Sequence, residues 1–222
     1  MNKRRSWLVM IFWAVAFAAI VQAHQSTGNK RESEITKFEE SDRQDPPPKD
    51  AVIFIGSSSI RLWQSLKEDF PGVKVINRGF GGSEIPDSTF YVTRIVTPYR
   101  PKMVVLYAGD NDLANGKTPK QVFEDYKAFV ERIHQNLPTT KIAFISIKPS
   151  PARISLLQSM KDANRLIKAY ATHDKTLIYI DVFTSMLRRD GSPRPELFGT
   201  DKLHMNSKGY DLWKLVVTKY IR

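Results

Sequence analysis

The sequence predicts an α/β sandwich built on a parallel sheet. Two patterns predict it. Five short, nearly continuous apolar runs recur along the chain, as suits strands buried on both faces. Between them lie longer stretches with apolar residues at helical spacing, and strands alternating with helices imply right-handed crossovers. Length agrees, since 222 residues suit one α/β domain with short additions rather than two full domains.

In chain order, Lys3, Arg4 and Arg5 precede an uncharged apolar run from Trp7 to Val21. That run is about 15 residues long, short of the roughly 20 that span a bilayer comfortably. Val21-Gln22-Ala23 places small residues where a signal peptidase reads, so residues 1–23 read as a signal peptide. The mature protein, periplasmic or secreted, is expected to start near His24. The alternative is an uncleaved membrane anchor formed by residues 7–21. Residues 24–34 are polar and read as a tether, and Ile35 and Phe38 give the following charged stretch one apolar edge, as in a short helix. Pro46-Pro47-Pro48 ends that helix. The tether and helix occupy 24–48, and the α/β domain occupies 49–222.

Strands are expected at Ala51–Ile55, Val73–Ile76, Met103–Tyr107, Ile142–Ile147 and Leu177–Val182. Val122, Phe123, Tyr126, Phe129, Val130 and Ile133 mark one helix face, and Ile154, Leu157, Met160, Leu166 and Ile167 mark a second. A last helix, Leu212 to Ile221, follows Asn206-Ser207, both good N-cap residues. In such sheets ligands bind beyond the carboxyl ends of the strands.

Composition removes several functions. The chain has no cysteine, which excludes disulfides, thiolate metal sites, a cysteine nucleophile and a lipidated cysteine after the signal. The formal charge of +11 falls by about three once Lys3, Arg4 and Arg5 are removed with the signal. A basic surface suits acidic polysaccharide, anionic lipid or nucleic acid, or is simply solvated. No dense Lys/Arg block interleaves with aromatics, so no nucleic-acid partner is expected. His24, His134 and His173 lack neighbours at metal-ligand spacing, and no metal or other cofactor is expected.

Four segments can carry chemistry, each with a plain structural alternative. The first strand runs into Gly56-Ser57-Ser58-Ser59 and then a helix, which places a serine beside helix-terminal N–H groups that can stabilise an oxyanion. A serine-rich N-cap or a phosphate loop fits the same residues, although the Gly-x-x-x-x-Gly-Lys pattern is missing. The second strand ends in Asn77-Arg78-Gly79-Phe80-Gly81-Gly82-Ser83, which permits positive φ and close backbone approach, or is a flexible turn. The third ends in Gly109-Asp110-Asn111-Asp112, where Asn111 can donate its amide or cap an Asx turn. Asp201-Lys202-Leu203-His204 can set a carboxylate against one imidazole nitrogen while the other takes a serine proton, or can be a surface turn. Together these are the parts of a serine acyl-transfer site. Lys148 to Arg153 follows the fourth strand and either lines the pocket or makes a rigid connection. Tyr107 and Trp63, close to these segments in sequence, read as core.

The sequence resembles the SGNH hydrolases, esterases of the GDSL-like group named for Ser, Gly, Asn and His in four blocks. Phe54 to Ile60 resembles the first block and places the nucleophile at Ser58, while Asn77 to Gly82 resembles the second, whose oxyanion donor falls on Gly82. Gly109 to Asp112 resembles the third, with its amide donor at Asn111, and Asp201 to His204 resembles the last, which gives Asp201 and His204 as the rest of the triad. Two departures stand out. Ser57 replaces the family's usual aspartate, and the serine run leaves Ser57 and Ser59 as rival registers. The Gly-x-Ser-x-Gly elbow is missing, which argues against the larger α/β-hydrolase fold. The resemblance implies a three-layer α/β/α sandwich with a five-stranded parallel sheet, flavodoxin-like, and an oxyanion hole of the Ser58 and Gly82 N–H groups and the Asn111 amide. It implies a serine esterase acting through an acyl-enzyme. The sequence has no long insertion to form a lid, which favours short acyl groups such as acetate on carbohydrate. The rivals are a lysophospholipase or thioesterase, and a non-catalytic carbohydrate-binding module.

Overall fold

The computed structural model describes residues 31–221. The expected signal peptide and the first part of the tether, residues 24–30, lie outside the described residues. Five strands form one parallel sheet: β1 (Val52–Gly56), β2 (Val75–Gly79), β3 (Met103–Tyr107), β4 (Lys141–Ile145) and β5 (Leu177–Ile180), in the order β2-β1-β3-β4-β5. All of β1 and β3 is buried, which is what their unbroken apolar sequences require. Each expected strand is present, with ends shifted by a few residues. Residues 73 and 74 precede β2, and the strand continues to Gly79.

Among the described residues, eight α-helices cover the sheet. They are α1 (31–44), α2 (Ser58–Arg61), α3 (Leu66–Asp69), α4 (Ile85–Ile95), α5 (Asp110–Ala114), α6 (Pro119–His134), α7 (Leu157–Ala171) and α8 (Ser207–Ile221). Alternation along the strands splits the core in two. Ile53, Ile55, Val104, Leu106, Ile142 and Phe144 face α1, α4, α6 and α7. Val52, Phe54, Val105, Tyr107 and Ile145 face α2, α3 and α8, where Trp63 and Trp213 are buried in edge-to-face contact at 5.8 Å. Tyr107 and Trp63 are core, as the sequence indicates.

Local chemistry sets the helix limits. Thr118 caps α6 by accepting the Gln121 N–H, with Pro119 at the first helical position. Asn206 accepts the Gly209 N–H at the start of α8, the role its position before the helix indicates. Two expectations need correction. The buried face of α7 is Met160, Ala163, Asn164, Ile167 and Ala171, whereas Ile154 is exposed and Leu166 only half-buried. Ile154 lies in the 3-10 turn before α7, and the buried face includes the polar Asn164, whose amide bonds both backbone groups of Ile147. Residues 31–34, read as tether, are helical, and Ile35 behind them is fully buried in the main core.

Candidate active site

The strand order reverses between β1 and β3, the crevice where doubly wound sheets bind ligands. Gly56 ends β1 at φ +134°, and a Cβ there would lie 1.9 Å from the Tyr107 carbonyl oxygen. Only glycine lets the two strands close over this turn. Ser57 follows, and its N–H donates to Tyr107 O at 2.9 Å. Ser58 then opens α2, so its N–H falls in the first turn, where the helix itself supplies no acceptor.

The Asp201–His204 turn meets Ser58 from the far end of the sequence. His204 Nε2 lies 3.0 Å from Ser58 Oγ, and His204 Nδ1 lies 2.6 Å from Asp201 Oδ2. Asp201 Oδ1 accepts the Leu203 and His204 N–H groups at 2.9 and 3.0 Å. The Leu203 N–H, the His204 ring and the His204 N–H hold the Asp201 carboxyl down at a pKa of about 2. An ionised carboxylate only accepts, so Nδ1 carries the proton of a neutral imidazole and Nε2 accepts from the Ser58 hydroxyl. Lys202, at φ +56°, tightens the turn, and its carbonyl accepts the Ala152 N–H of the segment after β4. Of the three serines in the run, Ser58 is the one that reaches His204, whereas Ser57 and Ser59 are buried.

Asn111 begins its contacts in the first turn of α5. Its amide nitrogen donates to Ser83 O at 3.0 Å, and its oxygen accepts from Arg153 at 2.9 Å. Gly82, between β2 and α4, is exposed at φ +68°, and its carbonyl accepts from Arg31 at 2.6 Å. Beneath Asn111, the buried Asp110 carboxylate faces Lys148 at 3.1 Å and Arg153 at 3.0 Å. Burial pushes the Asp110 carboxyl up, and Lys148 and Arg153 together pull it below its ordinary value. Lys148 is itself buried and sits 5.6 Å from the centre of the Tyr107 ring.

The sequence model of the GDSL-like lipase/acylhydrolase family matches residues 55–212. The chain belongs to this family. No curated protein matches it in sequence. Solved GDSL-like folds superpose on it at low identity. A Bacteroides fragilis protein assigned as an acylhydrolase shares 23% identity with a TM-score of 0.74, over 84% of this chain and 94% of that one. A GDSL-like lipase from Bacteroides thetaiotaomicron shares 20% with a TM-score of 0.71, over 84% and 96%. A catalytic mutant of an acetylxylan esterase from Geobacillus stearothermophilus shares 13% with a TM-score of 0.64, over 78% and 94%. At these identities the likeness is one of fold.

For a GDSL-like chain, Ser57 is the unusual residue. Its hydroxyl is buried and meets no hydrogen-bond partner among the described residues. Arg153 was legible only as part of a segment beside the pocket. Its contact with Asn111 joins residues 42 apart, and no local pattern announces it. The same holds for Lys148 with Asp110. His134 bonds Thr140 O, and His173 is exposed. Among the described residues no group of three His, Asp or Glu is placed to hold a metal, and no helix is long and apolar enough to cross a membrane.

Proposed function

We propose that this GDSL-like protein is a serine esterase that hydrolyses short acyl esters, acetyl esters of carbohydrate in particular, through an acyl-enzyme on Ser58. The observation that carries the reading is the unbroken chain from Asp201 through His204 to Ser58, at 2.6 and 3.0 Å. Ser58 Oγ attacks the ester carbonyl carbon while His204 Nε2 takes its proton. The tetrahedral oxyanion is held by the N–H groups of Ser58 and Gly82 and by the Asn111 amide. Collapse expels the alcohol, which receives the proton from His204. Water then gives a proton to His204 and attacks the acyl carbon, and the acid leaves as His204 returns that proton to Ser58 Oγ. Asp201, ionised throughout, keeps the imidazole in the tautomer that can accept and stabilises the imidazolium as it forms.

The short acyl group is favoured by how directly β1 passes into α2 and β3 into α5, with no inserted lid between them among the described residues. An acetylxylan esterase among the similar folds supports carbohydrate as the alcohol. An exported enzyme would meet acetylated polysaccharide outside the cell, which fits the basic N-terminal signal in the sequence.

The test is hydrolysis of p-nitrophenyl acetate by the purified protein beside Ser58→Ala, followed by a series of longer acyl chains. Loss of activity in the variant with a maximum at acetate is expected. A maximum at long chains would turn the reading to a lysophospholipase or thioesterase. Equal rates in both proteins would remove Ser58 from the chemistry.

A further inference from the structure

We propose that helix α1, which lies before the family-matched region, is part of the oxyanion-hole machinery, with Arg31 and Glu34 as positioning residues for the Gly82 N–H. The proposal rests on the esterase reading above and extends it to residues outside the four sequence blocks. The matched region starts at residue 55, and α1 ends at 44.

Gly81 and Gly82 stand together between β2 and α4, and Gly82 is exposed in the left-handed region. Two adjacent glycines leave a peptide plane that rotates easily. An oxyanion donor is useful only if it is aimed before the charge develops. Something outside the loop must therefore hold this peptide.

Helix α1 does so on both sides. The Gly81 N–H donates to Glu34 Oε2 at 3.1 Å, and the Gly82 carbonyl accepts from Arg31 Nη2 at 2.6 Å. These two groups belong to the peptide units on either side of the one that carries the Gly82 N–H, so α1 fixes both of its neighbours and narrows the rotation left to it. Both bonds involve a charged side chain, which makes them the stronger kind. Neither side chain is loose. Arg31 Nη1 pairs with Asp87 in α4 at 2.6 Å, and Glu34 faces Arg61 at 3.9 Å, at the end of the short helix that Ser58 opens. The nucleophile's helix and the donor's loop thus share an anchor. Helix α1 is fixed in turn by the buried Ile35 and by Glu39, which pairs with Arg94 through two bonds of 2.7 Å.

A purely structural role makes a different prediction. If Arg31 and Glu34 only fasten α1 to the domain, they are equivalent to Glu39, which fastens the same helix away from the glycines. Arg31→Ala, Glu34→Ala and Glu39→Gln are compared in the full chain by p-nitrophenyl acetate kinetics and by hydrogen exchange of segment 79–84. The first two variants are expected to lower kcat on the order of tenfold with little change in KM, as small misplacements of catalytic groups do. They should also speed exchange at 79–84, while Glu39→Gln alters neither. The proposal is overturned if kcat holds in both Arg31→Ala and Glu34→Ala, if exchange at 79–84 is unchanged, or if Glu39→Gln loses as much kcat as they do. Hydrolysis that survives Ser58→Ala would overturn the esterase reading and this proposal with it, and exchange would then still report whether α1 holds the loop.

Discussion

Arg153 donates to the side-chain oxygen of Asn111 at 2.9 Å, and with the bond from Asn111 to Ser83 O it leaves the amide only one way to face. Rotating the amide would set nitrogen against guanidinium and oxygen against carbonyl. The nitrogen has two hydrogens, so one remains for a developing oxyanion. Removal of such a donor costs on the order of 10²–10³ in turnover. Asn111→Ala is expected to fall in that range with its fold retained, and near-normal kcat would remove Asn111 from the mechanism.

Arg153 should act through that amide. It bridges Asn111 and Asp110, with a separate nitrogen toward each. Arg153→Ala is expected to lower kcat about tenfold. Arg153→Lys should not restore it, because a single ammonium does not reproduce a planar fork that meets two acceptors. Steady-state kinetics of the three proteins check this. Full activity in the lysine variant would show that charge beside Asp110 is all that Arg153 supplies.

Ser57 offers a stability prediction. Its buried hydroxyl has no partner among the described residues, so Ser57→Ala should stay within about 0.5 kcal/mol of the parent. Ser57→Asp, which restores the family's usual residue, places a carboxyl where the hydroxyl already finds no donor, and is expected to lose about 2 kcal/mol or more. Urea midpoints measure both. A more stable aspartate variant would mean that the pocket reorganises to supply a donor.

Most of the fold was legible because each strand is a buried apolar run and β1 and β3 have no polar interruption to hide them. The candidate site was legible where its residues sit in short contiguous segments: Ser58 after a strand, and Asp201 and His204 in one turn, which the structure brings together. What stayed hidden joins distant parts of the chain. Glu34 reaches Gly81 across 47 positions and Arg153 reaches Asn111 across 42, and the sequence around each is an ordinary charged helix or loop. Residues 31–34 look like tether because their helical character comes from ion pairs with the domain rather than from an apolar face. Helix α4 went unread for a different reason: its start signal is local, Pro86 in the first turn and Asp87 capping the Glu84 N–H, but it lies inside the glycine-rich segment that reads as a loop.

Gly82 and Gly56 should separate strain from collision. A methyl group on Gly82 would meet nothing within 4 Å, so Gly82→Ala incurs only the left-handed φ, about 1–2 kcal/mol. A methyl group on Gly56 would strike the Tyr107 carbonyl at 1.9 Å, where backbone in mid-sheet cannot give way. Gly56→Ala is expected to be expressed unfolded or to lose more than about 4 kcal/mol. Equal denaturation midpoints for the two variants would refute the distinction.

Asp112 makes stability depend on pH in an unusual direction. It is fully buried, accepts the Ile85 N–H at 3.2 Å and faces Lys117 at 3.1 Å. Burial outweighs Lys117, which is shared with Glu84 and Asp125 at 2.8 Å each, and the carboxyl is pushed up to about 6. In the unfolded chain an aspartate titrates near 3.9. Between those values the folded state holds the proton and the unfolded state does not, so this group lowers stability as pH rises from about 4 to about 6. Two pKa units correspond to roughly 2–3 kcal/mol. Asp112→Asn keeps an oxygen for the Ile85 N–H and cannot ionise. Relative to the parent it should therefore gain about 2 kcal/mol between pH 4 and pH 7, with the difference flat outside that window. Urea denaturation of both proteins across pH 4–8 measures it. Parallel curves would mean that Lys117 keeps Asp112 ionised throughout, and a difference of the opposite sign would mean that the buried ion pair is a net stabiliser.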